Sequence, residues 1–204
     1  MGMVDEWFRT APYASAFTVT AVKATASDLL AQTRGRMAQE EGRPASPNQP
    51  IVWRRTMAFL LYGGAYQGCA QYYLFNVLFP QWFGAGDDFG TVATKVLFDQ
   101  MVVTPFVCLP VAYLIKAIAF GEPPAEGLRR YAADARRDLL FKYWAIWTPT
   151  QCLTFGVVPQ QYRIPFIAFV SFFWLIVLST ISARGDASVV AAAASEALAE
   201  RDGV

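Results

Sequence analysis

The fold class that the sequence predicts is all-α: an integral membrane bundle of four to five transmembrane helices, with a short amphipathic interfacial helix and a helical C-terminal tail. Three observations predict it. Hydrophobic residues make up 55% of the 204 and charged residues only 16%, against about a quarter charged in ordinary soluble domains. The uncharged residues gather into long stretches. The basic residues fall almost wholly on one side of those stretches.

A membrane-crossing helix needs about 20 mainly apolar residues, because hydrocarbon roughly 30 Å thick is climbed at 1.5 Å per residue. Four stretches meet that length. Residues 56–83 carry no charge, 101–120 carry only Lys116, and 143–161 and 164–181 carry none. The last two are joined at "VPQQYRIP", short enough only for a tight hairpin. A fifth stretch, 11–32, is interrupted by Lys23 and Asp28. In a span those charges must face the bundle or water; the alternative is an amphipathic helix on the membrane surface.

Five spans put residues 33–55, 121–142 and the C-terminal tail on one side. With Lys116 at the end of its span, that side holds thirteen lysines and arginines, the other holds Arg9, Lys95 and Arg163, and Lys23 lies within a span. Such a bias orients the chain, since positive loops stay on the side where synthesis occurs. A four-span chain beginning at 56 keeps the same bias.

The remaining segments are small. Residues 33–50 are rich in Pro, Gly and charge and read as a flexible loop. Residues 121–144 open with Pro123 and Pro124 and continue as a basic amphipathic helix. Leu128, Tyr131, Leu139 and Leu140 are expected on the headgroups, with the arginines meeting lipid phosphate. Residues 1–182 form the membrane-embedded bundle, and 183–204 form an alanine-rich tail, helical and opened by Asp186 as its cap. "MGMVDEWFRTAPY" carries Asp5 and Glu6 against one arginine, unlike an Arg-rich matrix-targeting signal.

Composition excludes several chemistries. There is no histidine, the commonest general base and metal ligand. Cys69, Cys108 and Cys152 sit in separate apolar stretches without C-x-x-C spacing, so they read as buried small hydrophobes. No catalytic residues, no metal site and no cofactor are expected. With a net charge of +1, nucleic acid is not an expected partner.

The residues of interest are polar groups inside apolar stretches. Gly64 and Gly68, four apart, share a helix face and let another backbone approach. Gln67 and Gln71 repeat that spacing on a neighbouring stripe, as helix glue or as a polar pore wall. Lys95 is placed to pair with Asp99 one turn on. Gln100 and Thr104 form a polar pair, while Pro105 and Pro110 each remove a backbone donor. Pro149 frees the carbonyl of Ala145, which the Gln151 amide is placed to satisfy. Trp147, Gln151, Thr154 and Val158 share a face, and Tyr143, Trp144 and Trp147 suit the headgroup belt. Lys23, Asp28, Gln71, Asp99, Gln100, Pro149, Gln151 and Arg163 are therefore the candidates for a polar path or for polar helix packing.

These residues resemble the family of the mitochondrial Mpv-seventeen protein and the twenty-two-kilodalton peroxisomal membrane protein. "WTPTQCLTFGVVPQQYRIPFIAFVSFFWLIVLS" is similar to the family signature through Trp147, Pro149, Gln151, Val158, Pro159, Arg163, Trp174, Leu178 and Ser179. Lys95, Asp99, Gln100 and Pro105 match its Lys-Asp-Gln-Pro pattern, and Asp28 and Gln32 match its first helix. The usual Gly-Pro and His of the second helix are absent here. The resemblance implies a small multi-pass protein of an organellar membrane: the mitochondrial inner membrane first, a peroxisomal or plastid membrane as the alternative. It also implies a weakly selective channel or a membrane-permeability or homeostasis factor. The alternative is a non-conducting structural subunit of a larger membrane complex. The expected partners are the bilayer, lipids at helix interfaces and other subunits of such a complex.

Overall fold

The computed structural model describes residues 2–40, 51–137 and 139–173, without the side chains of 34–40. The described residues are helical with short connections, and no strand occurs among them. The chain divides into two units, Met1–Ala168 and Phe169–Val204. In the second, residues 169–173 are helical, with the rings of Phe169 and Phe173 4.7 Å apart. The expected boundary at 182 and the alanine-rich tail lie outside the described residues, as do Trp174, Leu178 and Ser179.

The first unit opens with a short helix, α1 (Met3–Thr10), followed by α2 (Pro12–Glu40). A third helix, α3, runs without interruption through 53–83, and α4 covers Phe89–Ala119. Then come α5 (Pro124–Arg137) and α6 (Leu139–Gly156). A 3₁₀ turn, Gln160–Tyr162, leads to a last helical stretch from Arg163. The breaks follow local chemistry. Gly84 and Gly121 take positive φ, 89° and 77°, where the chain leaves α3 and α4, a conformation glycine adopts without the Cβ penalty. The Asp88 carboxylate caps α4 by accepting from the Thr91 amide at 3.1 Å.

The long helices are antiparallel neighbours over their whole length. Along α2 and α3, Tyr13 meets Tyr72, Lys23 meets Gln67, and Asp28 meets Thr56. Between α3 and α4, the ring of Phe83 meets Phe98 and the Gln71 amide faces the Cys108 sulfur, while Arg55 lies over the ring of Phe120. Along α4, the partners advance steadily backwards. Gly127 abuts Tyr113 and Ala117, Tyr131 reaches Pro105, Trp144 reaches Gln100, Gln151 reaches Asp99, and Gly156 faces Val92. The segment 11–32, expected either to span or to lie on a surface, is thus a bundle rod beside α3.

The amphipathic helix expected on the headgroups also packs within the bundle, where α5 lies against α4. A Cβ on Gly127 would come 2.6 Å from the Tyr113 carbonyl oxygen, so only glycine permits this approach. Tyr131 turns inward, and the Tyr113 hydroxyl donates to Asp134 at 2.7 Å. Leu128, Arg129, Arg136 and Arg137 remain exposed.

Much of α3 and α4 is wound as π-helix: Tyr62–Ala70, Leu74–Leu78 and Asp99–Cys108. π-winding bonds residue i to i+5 and is rare outside functional or strained sites. Pro105 and Pro110 are five apart and lack N–H groups, so in this winding they leave the carbonyls of Gln100 and Pro105 without backbone donors. Those carbonyls are taken by the Trp144 indole at 3.0 Å and the Tyr131 hydroxyl at 2.5 Å.

Among the described residues, α4 is the one helix of sufficient length and apolarity to cross a membrane, 31 residues long. At 1.5 Å per residue it is about 46 Å long, longer than hydrocarbon is thick. The apolar core gathers toward one end, where Phe75, Phe79 and Phe155 are almost wholly buried together with Val92, Val96 and Ile164. Phe75 and Phe155 meet edge to face at 5.3 Å.

Candidate functional site

One helical turn from Phe155, Gln151 points into the bundle and its amide donates to Asp99 Oδ2 at 2.9 Å. The Gln100 amide donates to the same oxygen, also at 2.9 Å. Asp99 and Gln100 are each 2% exposed and Gln151 is 5%. The site is short of donors. Asp99 Oδ1, Gln100 Oε1 and Gln151 Oε1 are all buried and accept no hydrogen bond. Among the described residues Asp99 makes no ion pair. Buried carboxylates are costly unless paired, and each buried acceptor left without a donor costs about 1–3 kcal/mol.

Two expected contacts are corrected. Lys95 does not pair with Asp99: its ammonium donates to the Gly86 carbonyl at 3.1 Å, toward the loop before α4. A lysine stem long enough to reach the helix end carries its charge there, while the short Asp99 side chain faces α6. Nor does Gln151 repair the break at Pro149, since its amide is engaged by Asp99. Trp144 and Tyr131 repair the prolines of α4 instead. Trp144 therefore belongs to the bundle and not to the headgroup belt, and Trp147 packs against the core.

Asp28, in contrast, is fully satisfied. Arg55 Nε pairs with Oδ1 at 2.6 Å, while the Thr56 hydroxyl and the Gln32 amide donate to Oδ2 at 2.8 and 2.7 Å. Gln32 also accepts from the Val52 amide at 2.9 Å. This knot ties the end of α2 to the start of α3, so Asp28 is a clasp. Lys23 donates to Gln67 Oε1 at 2.8 Å within the same hairpin. Gln71 contributes a long contact, 3.9 Å, to Cys108.

The packing glycines shift by one. Gly68 faces the Ala16 carbonyl, but its backbone-facing partner is Gly63, where a Cβ would fall 2.6 Å from the Thr20 carbonyl oxygen and from Ala24. Gly64 faces the Phe17 ring instead. A spacing of five, not four, follows from the π-winding of Tyr62–Ala70. Arg163 lies near the other end of the bundle. It donates to the Phe75 carbonyl and to Asn76 Oδ1 at 3.3 and 3.4 Å, with its guanidinium over Phe155 at 5.5 Å. The cysteines, all free, split three ways: Cys108 is buried, Cys69 half-buried and Cys152 exposed, so burial of all three is corrected.

Asn76 was not singled out by sequence, and Tyr131 and Trp144 were read as headgroup residues, not as donors to backbone carbonyls. Tyr131 and Trp144 are aromatic residues in apolar surroundings, where lipid contact is the usual reading. The available signal was the pair of prolines five apart, which calls for two outside donors.

The Mpv17 / PMP22 family model matches residues 124–179. Protein SYM1 of Mycosarcoma maydis is 31% identical over 137 residues, 63% of this chain and 63% of that protein. Peroxisomal membrane protein PMP22 of Arabidopsis thaliana is 24% identical over 67% of this chain and 70% of its own length. Peroxisomal membrane protein 2 of Bos taurus is 22% identical over 78% and 81%. The chain spans 63% and 43% of the lengths of two SYM1 relatives, those of M. maydis and Debaryomyces hansenii. No solved structure matches it. The expected resemblance and organellar membrane location agree with these relatives, two of which carry the peroxisomal membrane in their names.

Proposed function

We propose that this chain, which resembles the Mpv17 / PMP22 membrane proteins, crosses an organellar membrane four or five times and acts as a weakly selective channel for small solutes. The carrying observation is the interior carboxylate: Asp99 is buried where α4 meets α6, with amides but no cation beside it. Intramembrane acids of this kind are expensive and accompany ion or substrate pathways. The antiparallel arrangement supports the span count, because α2, α3 and the α5–α6 segment run beside α4, which among the described residues alone passes on length and apolarity. Exposed Phe106, Phe141 and Leu153 suit contact with acyl chains. The mitochondrial inner membrane is the proposed location, with a peroxisomal or plastid membrane as the alternative.

Purified protein reconstituted in planar bilayers tests this reading. It should give conductance whose ion selectivity changes in Asp99→Asn. Silent bilayers over a wide range of salt would reject the channel and leave a non-conducting subunit of a larger complex.

A further inference from the structure

The cluster at Asp99 has an imbalance that its own residues do not resolve. Three acceptor oxygens from three side chains, Asp99 Oδ1, Gln100 Oε1 and Gln151 Oε1, are buried and accept nothing. The Gln100 and Gln151 amides each donate one hydrogen to Asp99 Oδ2 and none to these oxygens. The Trp144 donor is engaged: its Nε1 bonds the Gln100 backbone carbonyl. Lys95, on the same helix, bonds Gly86, and the Asp28 clasp takes Arg55. The site therefore has hard oxygen acceptors in excess and one formal negative charge without a counter-charge.

A guest that corrects both deficits must be positive and must accept oxygen lone pairs. A neutral water would supply donors but leave the carboxylate charge buried, which is the larger cost. A divalent ion would exceed the single charge, and no group of three His, Cys, Asp or Glu able to hold one exists among the described residues. Hard monovalent cations favour carboxylate and amide oxygens over sulfur or nitrogen.

We propose that Asp99, Gln100 and Gln151 form an internal binding site for a small monovalent cation, an alkali metal ion, between α4 and α6. The cation joins the two helices by bridging the carboxylate of one with the amide oxygens of both, so occupancy stabilises the bundle. This goes beyond the channel reading and does not need it, because a bundle that conducts nothing can still hold the ion.

The test uses the full-length purified protein in lipid nanodiscs, with thermal unfolding as the readout and choline chloride holding ionic strength constant. Lithium, sodium and potassium chlorides are titrated separately at several pH values. An alkali-ion site gives a saturable rise in Tm that distinguishes the three ions and is absent in Asp99→Asn. A rise in Tm on acidification that is indifferent to alkali ions and absent in the same variant is protonation of Asp99 itself and overturns the proposal. Gln151→Leu, which keeps the carboxylate, guards against a variant that fails to fold. It should weaken the apparent affinity about tenfold, equivalent to about 1.4 kcal/mol. A Tm that responds to neither ions nor pH, or responds equally in wild type and Asp99→Asn, overturns the proposal. Because no current is measured, failure here is distinguishable from failure of the channel reading.

Discussion

Gln151 and Asp99, 52 residues apart in the chain, are joined at 2.9 Å across the α4–α6 interface. The contact is asymmetric: Gln151 gives its amide hydrogen while its own oxygen is left without a donor. Gln151→Leu should lower stability by about 1–3 kcal/mol, since a buried carboxylate loses one of two donors. Replacing both residues with leucine should cost less than the single change, because the buried carboxylate goes with its partner and only the Gln100 amide loses an acceptor. Thermal unfolding of the four proteins in detergent gives the coupling directly.

The side-chain donors to the proline-freed carbonyls make a second prediction. Tyr131→Phe keeps the ring and Trp144→Phe keeps a smaller aromatic one, and each removes the donor, to Pro105 and to Gln100 respectively. Each should destabilise by about 1–2 kcal/mol. Hydrogen exchange should increase first around residues 104–110, where the π-wound turn loses its outside support.

The close contact of α2 with α3 predicts different costs for neighbouring glycines. Gly63→Ala and Gly68→Ala drive a methyl into the Thr20 and Ala16 carbonyls. Overpacking of this kind costs about 1–3 kcal/mol, and backbone cannot yield as a side chain can. Gly64→Ala meets only the Phe17 ring, which can rotate, and should cost less. The order of Tm values across the three variants checks the five-residue spacing.

Acid should loosen the N-terminal helix. The Tyr162 hydroxyl donates to Asp5 at 2.7 Å and, with Arg9 adding, holds that carboxyl below its ordinary value of 3.8. A lowered folded value means that the contact stabilises above 3.8 and is lost as pH falls through the still lower folded value. Hydrogen-exchange protection of α1 should hold above 3.8 and fall as pH drops below it. In Tyr162→Phe it should already be low at the higher pH, and little further loss should follow.

The rods were legible because apolar length and clustered charge are written along the chain without reference to its neighbours. Asp99, Gln100 and Gln151 stood out for the same reason: polar residues in apolar runs are conspicuous. Their partners were not legible. Lys95 sits one turn before Asp99, and local spacing alone favoured that pair, but the direction in which a long side chain leaves its helix decided otherwise. The glycine stripe was misplaced by one position because a period of 3.6 was assumed where the backbone is wound wider. Amphipathicity placed α5 on a surface, whereas Gly127 and Tyr131 had already fitted it to a helix.

The position of each polar partner along the chain also sets an order of biogenesis. Asp28 finds Arg55, and Lys23 finds Gln67, inside one hairpin, so that pair of rods can neutralise itself soon after leaving the ribosome. Asp99 has no such early companion beyond its neighbour Gln100, because Gln151 is synthesised 52 residues later. On the span count proposed above, the third rod therefore carries its acid without the Gln151 amide until the fourth has been made, and the second half of the chain is where insertion is most exposed to failure.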